Sequence, residues 1–278
     1  MSRRVPDAVH VAPVQRIRLR YAKRGPLRFC SHRDFARAFE RSLRRAEIPM
    51  AYSAGFHPHP RISYVGAAPT GVASEAEYLE IALAERRDPA EVGAALDAAL
   101  PPGLDIVQAV DAADCPPGSL AEQIQASCWQ LEITGDPVEL AAAVAAFLQA
   151  DEAPVERLTK DGRRIIDARG PVLSATVTPV LPAVVTPVLS ESGPAVGSAG
   201  FAAVSVSATD SVVPRAIMRM VVRQVTPTVR PDDVLAALRS IAGFAPSEPV
   251  RATRLAQGSV DGPAELADPL RRTELSTR

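Results

Sequence analysis

The 278-residue sequence has few aromatic residues, few cysteines and none of the motifs of the common catalytic sites. Aromatics make up 4% of the chain, and the three cysteines, Cys30, Cys115 and Cys128, are widely separated. An odd number of scattered cysteines excludes a disulfide framework, a zinc motif and the cysteine triplet of an iron–sulfur cluster, and it favours a reducing compartment. Because a phosphate-cradling glycine loop and a nucleophile elbow are also missing, the sequence predicts no catalytic residue, no metal site and no cofactor.

Long apolar runs are missing as well. The apolar region 172–190 is interrupted by prolines and therefore does not read as a membrane helix. The first residues, Met-Ser-Arg-Arg followed by a mixed polar stretch, lack the apolar run of a signal peptide. We therefore expect a cytoplasmic protein that does not associate with a membrane. The high content of alanine, arginine and proline indicates a GC-rich coding sequence.

The charge is distributed unevenly although the net charge is only −1. Residues 16–64 contain 12 Lys and Arg against 3 Asp and Glu, whereas residues 75–156 contain 2 against 17. The basic part is suited to a polyanion, and the acidic part would repel one. The alternative is that the two parts attract each other within the fold.

The two halves of the chain contain a similar order of sequence patterns. Pro89-Ala-Glu-Val-Gly-Ala-Ala-Leu96 has a counterpart in Pro231-Asp-Asp-Val-Leu-Ala-Ala-Leu238, and each favours a helix with proline in its first turn. The patterns around them predict β-α-β-β-α-β in the first half and a related order in the second. The sequence therefore predicts an α+β protein with two tandem ferredoxin-like domains, each an antiparallel sheet with helices on one face.

Composition shifts give the boundaries of these predicted domains. The first spans 15–115 and the second 126–257, after a disordered N-terminus at 1–14 and before a flexible tail at 258–278. The second domain is interrupted at 174–213 by a stretch rich in Ala, Ser, Val and Pro, which predicts a flexible insertion. Within the second domain, Asp161-Gly162 predicts the turn of a hairpin.

The opening strand of the first domain is predicted to have one apolar and one basic face. Ile17, Leu19 and Tyr21 alternate with arginines and would face the helices. The open face would then carry Arg16, Arg18 and Arg20. A sheet face with cations and nearby aromatics is typical of domains that bind single-stranded RNA. The alternative is that arginines on an edge strand serve solubility.

The next helix extends the predicted basic surface. It begins near Ser31 or His32 and buries a stripe that includes Phe35, Phe39 and Leu43. Its opposite face carries Arg37 and Arg41 together with Arg33, Arg44 and Arg45, and the turn before it carries Lys23, Arg24 and Arg28. A basic helix face taken alone is most often simply solvated. Together with the basic residues of the turn, however, this helix face predicts an anion-binding surface.

The segment from Tyr52 to Tyr64, Tyr-Ser-Ala-Gly-Phe-His-Pro-His-Pro-Arg-Ile-Ser-Tyr, is the most distinctive in the chain. Prolines remove backbone donors and histidines resist burial, so the segment predicts a rigid and partly exposed surface. The candidate base-stacking residues are Tyr52, Phe56 and Tyr64, and the candidate polar contacts are His57, His59 and Arg61. Core positions for Phe56 and Tyr64 are the alternative.

Histidines could instead bind a metal or act as acid and base. His57 and His59 lie on one side of an extended segment, and His32 is the other nearby imidazole. First-row metal sites usually gather three or four ligands, and no carboxylate lies within the segment. A histidine-dependent metalloenzyme is therefore the second hypothesis.

Three segments of the first half resemble a known family. They are 19–34, Leu-Arg-Tyr-Ala-Lys-Arg-Gly-Pro-Leu-Arg-Phe-Cys-Ser-His-Arg-Asp; 52–63 with its Gly-Phe-His-Pro-His-Pro motif; and 71–80, Gly-Val-Ala-Ser-Glu-Ala-Glu-Tyr-Leu-Glu. These segments, with 251–258 near the end, resemble the radical SAM-linked protein family, which carries a domain of unknown function. The resemblance implies a bacterial accessory protein whose partner is a separate radical SAM protein. Together with the high content of alanine, arginine and proline, it implies an actinobacterial origin. It also implies a functional link to an E/G-type ribonuclease.

These observations favour a non-catalytic module that binds RNA or another anionic substrate and acts with a separate radical SAM enzyme. Besides the metalloenzyme, a protein–protein adaptor without nucleic-acid binding remains an alternative. In that case the basic helix face would dock onto an acidic partner or onto the acidic stretch of the chain itself.

Overall fold

The computed structural model describes residues 12–54, 57–159, 162–180, 213–262 and 265–271. Three predictions therefore fall wholly or largely outside the described residues: the disordered N-terminus at 1–14, the exposure of Phe56, and the insertion beyond residue 180.

The described residues form eleven strands and five α-helices. The first half contains β1 (Gln15–Lys23), α1 (His32–Arg45), β2 (Ile62–Val65), β3 (Ala73–Leu83), α2 (Pro89–Ala99) and β4 (Leu104–Asp111). The second half contains α3 (Leu120–Gln123), β5 (Ala126–Thr134), α4 (Pro137–Gln149), β6 (Pro154–Thr159), β7 (Gly162–Asp167), β8 (Val172–Val180), β9 (Arg215–Arg223), α5 (Pro231–Ala242), β10 (Arg251–Val260) and β11 (Leu266–Ala267). The predicted α+β class is confirmed.

Nine strands form one mixed sheet that runs through both halves. Its order is β4-β1-β3-β10-β5-β9-β8, with β2 also paired to β3 and β11 to β10. The halves meet where β3 and β10 pair in parallel, Ala73 with Thr253 and Ser74 with Arg254. The other pairings in this sheet are antiparallel. The sequence did not predict this junction, because two isolated parallel pairs leave no periodic signal.

The predicted hairpin in the second half is present as β6 and β7. They pair antiparallel from Pro154–Asp167 to Thr159–Gly162 and form a separate two-stranded sheet. In contrast, β8 includes residues 174–180, which were predicted to belong to the flexible insertion. This strand lies at the end of the sheet order and is mostly half-buried or exposed, so it lacks the apolar pattern of a central strand.

Two large apolar cores lie between the helices and the sheet. In the first half, Ile17, Leu19 and Tyr21 of β1 pack with Phe35 and Phe39 of α1, as predicted. Helix α1 begins at the N-cap Ser31, whose Oγ accepts a hydrogen bond from the Asp34 amide at 3.2 Å. In the second half the corresponding core forms among α4, α5 and the strands β5 and β9.

A smaller third core covers the other face of the first-half sheet. It contains Ala76, Tyr78, Cys115, Leu120, Ile124 and Leu270. Tyr78 belongs to the sheet, whereas Leu120 and Ile124 come from the segment between the halves. Leu270, which is 2% exposed, comes from the predicted flexible tail. That tail therefore begins within β10 and returns to the fold through β11 and Leu270.

Gly258 in β10 allows β11 to pack closely against it, and we expect its substitution to change the reactivity of a buried cysteine. A methyl group on Gly258 would overlap the carbonyl oxygen of Ala267 in β11. We expect Gly258→Ala to displace β11 and Leu270, and to expose the Cys115 thiol, which is 3% exposed in the native fold. The rate at which a thiol reagent modifies Cys115 should rise about tenfold through local opening.

The matched control is Gly262→Ala, since an added methyl group there meets no described atom within 4 Å. Mass spectrometry of the peptide that contains Cys115 separates this thiol from the other two. Equal labelling rates in Gly258→Ala and Gly262→Ala would contradict the packing of the tail against the sheet.

Candidate nucleic-acid interface

The β1 arginines are held by partners within the fold. Arg18 is 4% exposed; its Nε lies 3.1 Å from Glu80 Oε2, and its terminal nitrogens donate to the carbonyls of Pro116 and Gly118. The prediction that Arg18 lines an open sheet face is wrong, because the segment between the halves covers that face. Arg16 is exposed but pairs with Glu80 at 2.7 Å. A single carboxylate therefore serves both arginines.

Arg20 and the basic residues of the following turn also have intramolecular partners. The Nε of Arg20 donates to the Glu75 carbonyl at 2.8 Å, and Arg24 forms ion pairs with Glu75 and Asp105. Since these acids belong to the acidic stretch that starts at residue 75, the charge asymmetry is partly neutralised within the fold. The two ion pairs raise the pKa of Arg24, with its hydrogen bond to Glu75 as the largest cause.

Lys23 and Arg28 are poorly placed for an external anion. Lys23 is 5% exposed, and its Nζ lies 3.3–3.5 Å from the carbonyl oxygens of Cys30, Ala68 and Pro69. Burial lowers the pKa of Lys23, since desolvation disfavours the charged amine. Arg28 is half-buried, and its guanidinium lies 4.7 Å from the centre of the Phe29 ring. The prediction that Lys23 contacts an external phosphate is therefore wrong.

The outer side of α1 carries arginines that, unlike Arg16 and Arg18 of β1, have no ion-pair partner among the described residues. Four exposed arginines, which we call the α1 arginine face, lie there: Arg33, Arg37, Arg41 and Arg44. A fifth, Arg45, is also exposed but donates to the Ala99 carbonyl at 3.1 Å. The spacing of the four places them on one side of the helix, opposite the buried stripe. No carboxylate in the described part of the chain forms an ion pair with any of them. The helix carries two acids, Asp34 and Glu40, against these four arginines, so this face keeps a net positive charge.

The histidine–proline segment lies next to the C-terminal end of this face. Tyr52 pairs with Pro60 as an isolated bridge, and the Ser53 amide donates to the His59 carbonyl at 2.9 Å. These contacts join residues 52–54 to residues 57–60, and we call these described residues the His-Pro loop. A small cleft of about 140 Å³ separates the loop from α1, with Arg44 on one side and Tyr52 and His59 on the other. The loop and the α1 arginine face are therefore contiguous.

The structure places the loop side chains unequally. Tyr52 is 46% exposed, and His57 and His59 are exposed. Arg61 follows the loop, where its amide donates to the Ala51 carbonyl at 2.9 Å. Phe56 lies outside the described residues. The sequence also missed Phe29, which is 60% exposed, because nothing in its local pattern distinguishes it from a core aromatic.

Tyr64 is not a free stacking platform. Its ring lies edge-on to His32, with centroids 4.9 Å apart, and edge-on to Phe35 at 6.0 Å. Its hydroxyl is buried and has no hydrogen-bond partner among the described residues. Burial, and secondarily the charge of Glu40, raises the pKa of Tyr64. The prediction that Tyr64 stacks on a base is wrong, because β2 directs this ring toward α1.

The histidines do not gather with other ligands. Across the described ranges, no group of three His, Cys, Asp or Glu side chains is placed to hold a metal ion. His32 lies at the start of α1 against Tyr64, whereas His59 lies beside Arg44 at the opposite end of the helix. The three-histidine site that the metalloenzyme hypothesis requires is therefore not formed by these described side chains.

Comparison with known families places the chain in one of them. Residues 16–231 match the family described as an uncharacterized protein conserved in bacteria, DUF2344. The match covers more than half of the chain, and the protein belongs to this family. None of the curated proteins compared with the chain matches it. Within the described residues, no helix is both long and apolar enough to span a membrane.

Proposed function

We propose that this protein is a non-catalytic module that binds single-stranded RNA through the α1 arginine face and the adjoining His-Pro loop. The observation that carries the proposal is the contrast between the two basic elements. The β1 arginines are bound to acids and carbonyls of the fold, whereas the four arginines of the α1 arginine face are exposed and without ion pairs among the described residues. Exposed cations without partners are available to neutralise phosphates.

The neighbouring side chains favour RNA over a simple inorganic anion. Tyr52 offers an exposed ring on which a base can stack, and stacking on aromatic side chains is sequence-tolerant. His57 and His59 add exposed polar groups on the same loop. In single-stranded RNA both the phosphates and the bases are accessible. A row of arginines can therefore contact the phosphates while the neighbouring aromatic ring stacks on a base. The α1 arginine face thus replaces the β1 face as the proposed phosphate-binding surface.

We also propose that the module acts with a separate radical SAM enzyme in an actinobacterial cytoplasm, with a functional link to an E/G-type ribonuclease. The resemblance of the Gly-Phe-His-Pro-His-Pro region supports the partner, and the three free thiols support a reducing compartment. Purification of the chain from its native cells, followed by identification of associated proteins and RNA, tests this partnership. Absence of the radical SAM protein from such preparations would contradict it.

For the fold, we propose that each half is a ferredoxin-like domain. The antiparallel order β4-β1-β3-β2 in the first half and β10-β5-β9-β8 in the second supports this proposal, since both follow the fourth, first, third and second strands of a βαββαβ unit. In the second half, β6 and β7 are then an added hairpin between the first helix and the second strand.

The RNA proposal predicts a loss of affinity when the α1 arginine face is neutralised. Arg37→Gln/Arg41→Gln should weaken binding of a short single-stranded RNA about tenfold, because two phosphate contacts are removed. The slope of log affinity against log salt should become shallower by about 1.4, at about 0.7 per phosphate contact. Fluorescence anisotropy of labelled RNA at several salt concentrations measures both quantities.

The matched control is Arg164→Gln/Arg239→Gln, which removes two exposed arginines of the second half. Equal effects of the two double variants, or an affinity that does not depend on salt, would contradict the proposal. If the α1 variant binds RNA normally but loses an acidic protein partner, the surface is instead a protein–protein adaptor.

A further inference from the structure

A second cleft lies at the junction of the two halves, away from the α1 arginine face. Its volume is about 280 Å³, near the lower end of ligand-binding pockets. One wall is the loop that follows β2, and the other is formed by β5, β9 and the start of α5. The side chains and loop residues that matter for its chemistry are Gly66, Ala67, Ser127, Trp129, Arg223, Arg230 and Arg254.

The lining of this cleft is cationic. It includes three arginines and no carboxylate from the described residues. Arg254 is neutralised by its buried ion pair with Glu77. Arg223 and Arg230 are exposed and form no ion pair within the described part of the chain. Two positive charges of the cleft lining are therefore left without an ion-pair partner among the described residues.

The nearest acid does not cancel these charges. Asp233, in the first turn of α5, is held by Arg157 of β6, whose Nη2 also donates to the Thr228 carbonyl at 2.9 Å. The β6–β7 hairpin thus supplies the cation for Asp233 and leaves Arg230 available. Asp232, the other acid of this turn, is exposed and forms no ion pair among the described residues, so it offsets part of the charge of Arg223 and Arg230 without pairing with either.

Hydrogen bonds and packing hold the inner wall in place. Trp129 is 6% exposed, and the Arg254 guanidinium lies 5.4 Å from the centre of its ring. Arg254 also donates to Gln257 Oε1 at 3.0 Å, and the Ser127 hydroxyl donates to the same oxygen at 3.3 Å. Gly66, with a φ of +57°, allows the opposite loop to turn closely against Gln257. The cleft is therefore largely formed before any ligand arrives.

We propose that this cleft binds a small phosphate-bearing molecule no larger than a mononucleotide. Arg223 and Arg230 contact the phosphate, because they supply the charge of the lining that no ion pair among the described residues neutralises. Trp129 and the backbone of Gly66 and Ala67 form the wall for the uncharged part of the ligand. The site uses no residue of the α1 arginine face, so it does not depend on the proposed RNA binding.

Trp129 is the only tryptophan of the chain and lines the cleft, so its fluorescence reports binding directly. We expect AMP, titrated into the full chain at constant ionic strength, to change this fluorescence with saturation. Inorganic phosphate should compete with AMP, whereas adenosine should neither bind nor compete. Equilibrium dialysis with labelled AMP provides a measurement that does not depend on the optical signal.

Arg223→Gln and Arg230→Gln should each weaken AMP binding about tenfold or more, since each removes one charge-assisted contact. Both side chains are exposed, and unchanged thermal unfolding would show that the variants fold normally. Arg239→Gln, an exposed substitution near the other end of α5, is the matched control and should bind AMP normally.

Three results would each overturn the proposal. One is the absence of saturable AMP or phosphate binding by dialysis, and another is equal affinity for adenosine and AMP. The third is retention of AMP affinity in both cleft variants together with its loss in Arg37→Gln/Arg41→Gln, because the ligand would then occupy the α1 arginine face.

Discussion

Glu77→Gln should lower the free energy of unfolding by about 3–5 kcal/mol, as expected when one partner of a buried ion pair loses its charge. Glu77 is 2% exposed and pairs with Arg254, which is 4% exposed. Its other carboxylate oxygen accepts a hydrogen bond from the Ala68 amide at 2.9 Å. The substitution would leave Arg254 charged, buried and without its carboxylate. Urea unfolding monitored by circular dichroism measures the loss.

Lys23 adds a pH dependence to this prediction. Burial already lowers the pKa of Lys23, and the charge of Glu77 opposes that effect. Without Glu77, the folded-state pKa should fall further below the ordinary value of about 10.4. The folded variant then binds fewer protons than the unfolded chain, so its stability should rise with pH until the unfolded lysine also deprotonates. Part of the deficit in Glu77→Gln should therefore disappear in alkaline buffer.

Two further variants test whether the loss of stability comes from the broken Glu77–Arg254 ion pair. Glu156→Gln removes the carboxylate of an exposed pair with Arg163 and should cost less than about 0.5 kcal/mol. Glu77→Gln/Arg254→Met should be more stable than Glu77→Gln alone, because no buried charge remains without its partner. If the double variant is less stable than the single one, the ion pair is not the source of the loss.

Phe35→Ala should destabilise the protein by about 3–5 kcal/mol, the usual cost of removing a buried aromatic ring. Phe35 is 2% exposed and stacks on Tyr21, with ring centroids 4.2 Å apart. It also contacts Phe39, at a centroid distance of 5.7 Å, and the edge of Tyr64. Removal of this ring leaves a cavity between α1 and β1. Calorimetry or urea unfolding measures the change.

The same substitution tests the proposed RNA surface. Because Phe35 anchors α1, Phe35→Ala should also weaken RNA binding although every arginine is retained. Phe35→Leu, which keeps an apolar side chain, should restore most of the stability and the affinity. Arg33→Ala, on the opposite side of the helix, should change stability by less than about 0.5 kcal/mol. A stable Phe35→Ala variant would contradict the packing of α1 on the sheet.

Much of the fold could be predicted because its signals are local. The alternation of Ile17, Leu19 and Tyr21 identifies β1, and the spacing of Phe35 and Phe39 identifies α1 and its buried side. The capping residue Ser31 and the Asp-Gly pair at 161–162, which predicts the β6–β7 hairpin, are equally local signals. These patterns depend on which side of one element is buried, and neighbouring residues carry that information.

The candidate site was predicted only in part, since the errors concern contacts distant in sequence. The pattern of β1 places Arg18 opposite the helices, which is correct, but no local signal shows that Pro116 and Gly118 cover that side. Likewise, the periodicity of the His-Pro region does not reveal that Tyr64 packs under α1. The junction cleft was missed because Trp129, Arg223 and Arg254 converge from separate strands.

The parallel pairing of β3 with β10 has a consequence for biosynthesis. β10 is translated last among the long strands, yet it lies between β3 and β5 in the finished sheet. While the chain leaves the ribosome, β5 lacks its partner along most of its length and β3 lacks its partner at Ala73 and Ser74, and such unpaired edges are prone to pair with other chains. Closure requires contacts about two-thirds of the chain apart, which slows folding. Premature termination before residue 251 would therefore leave a nascent product with an unpaired, aggregation-prone edge along β5 rather than a smaller working protein.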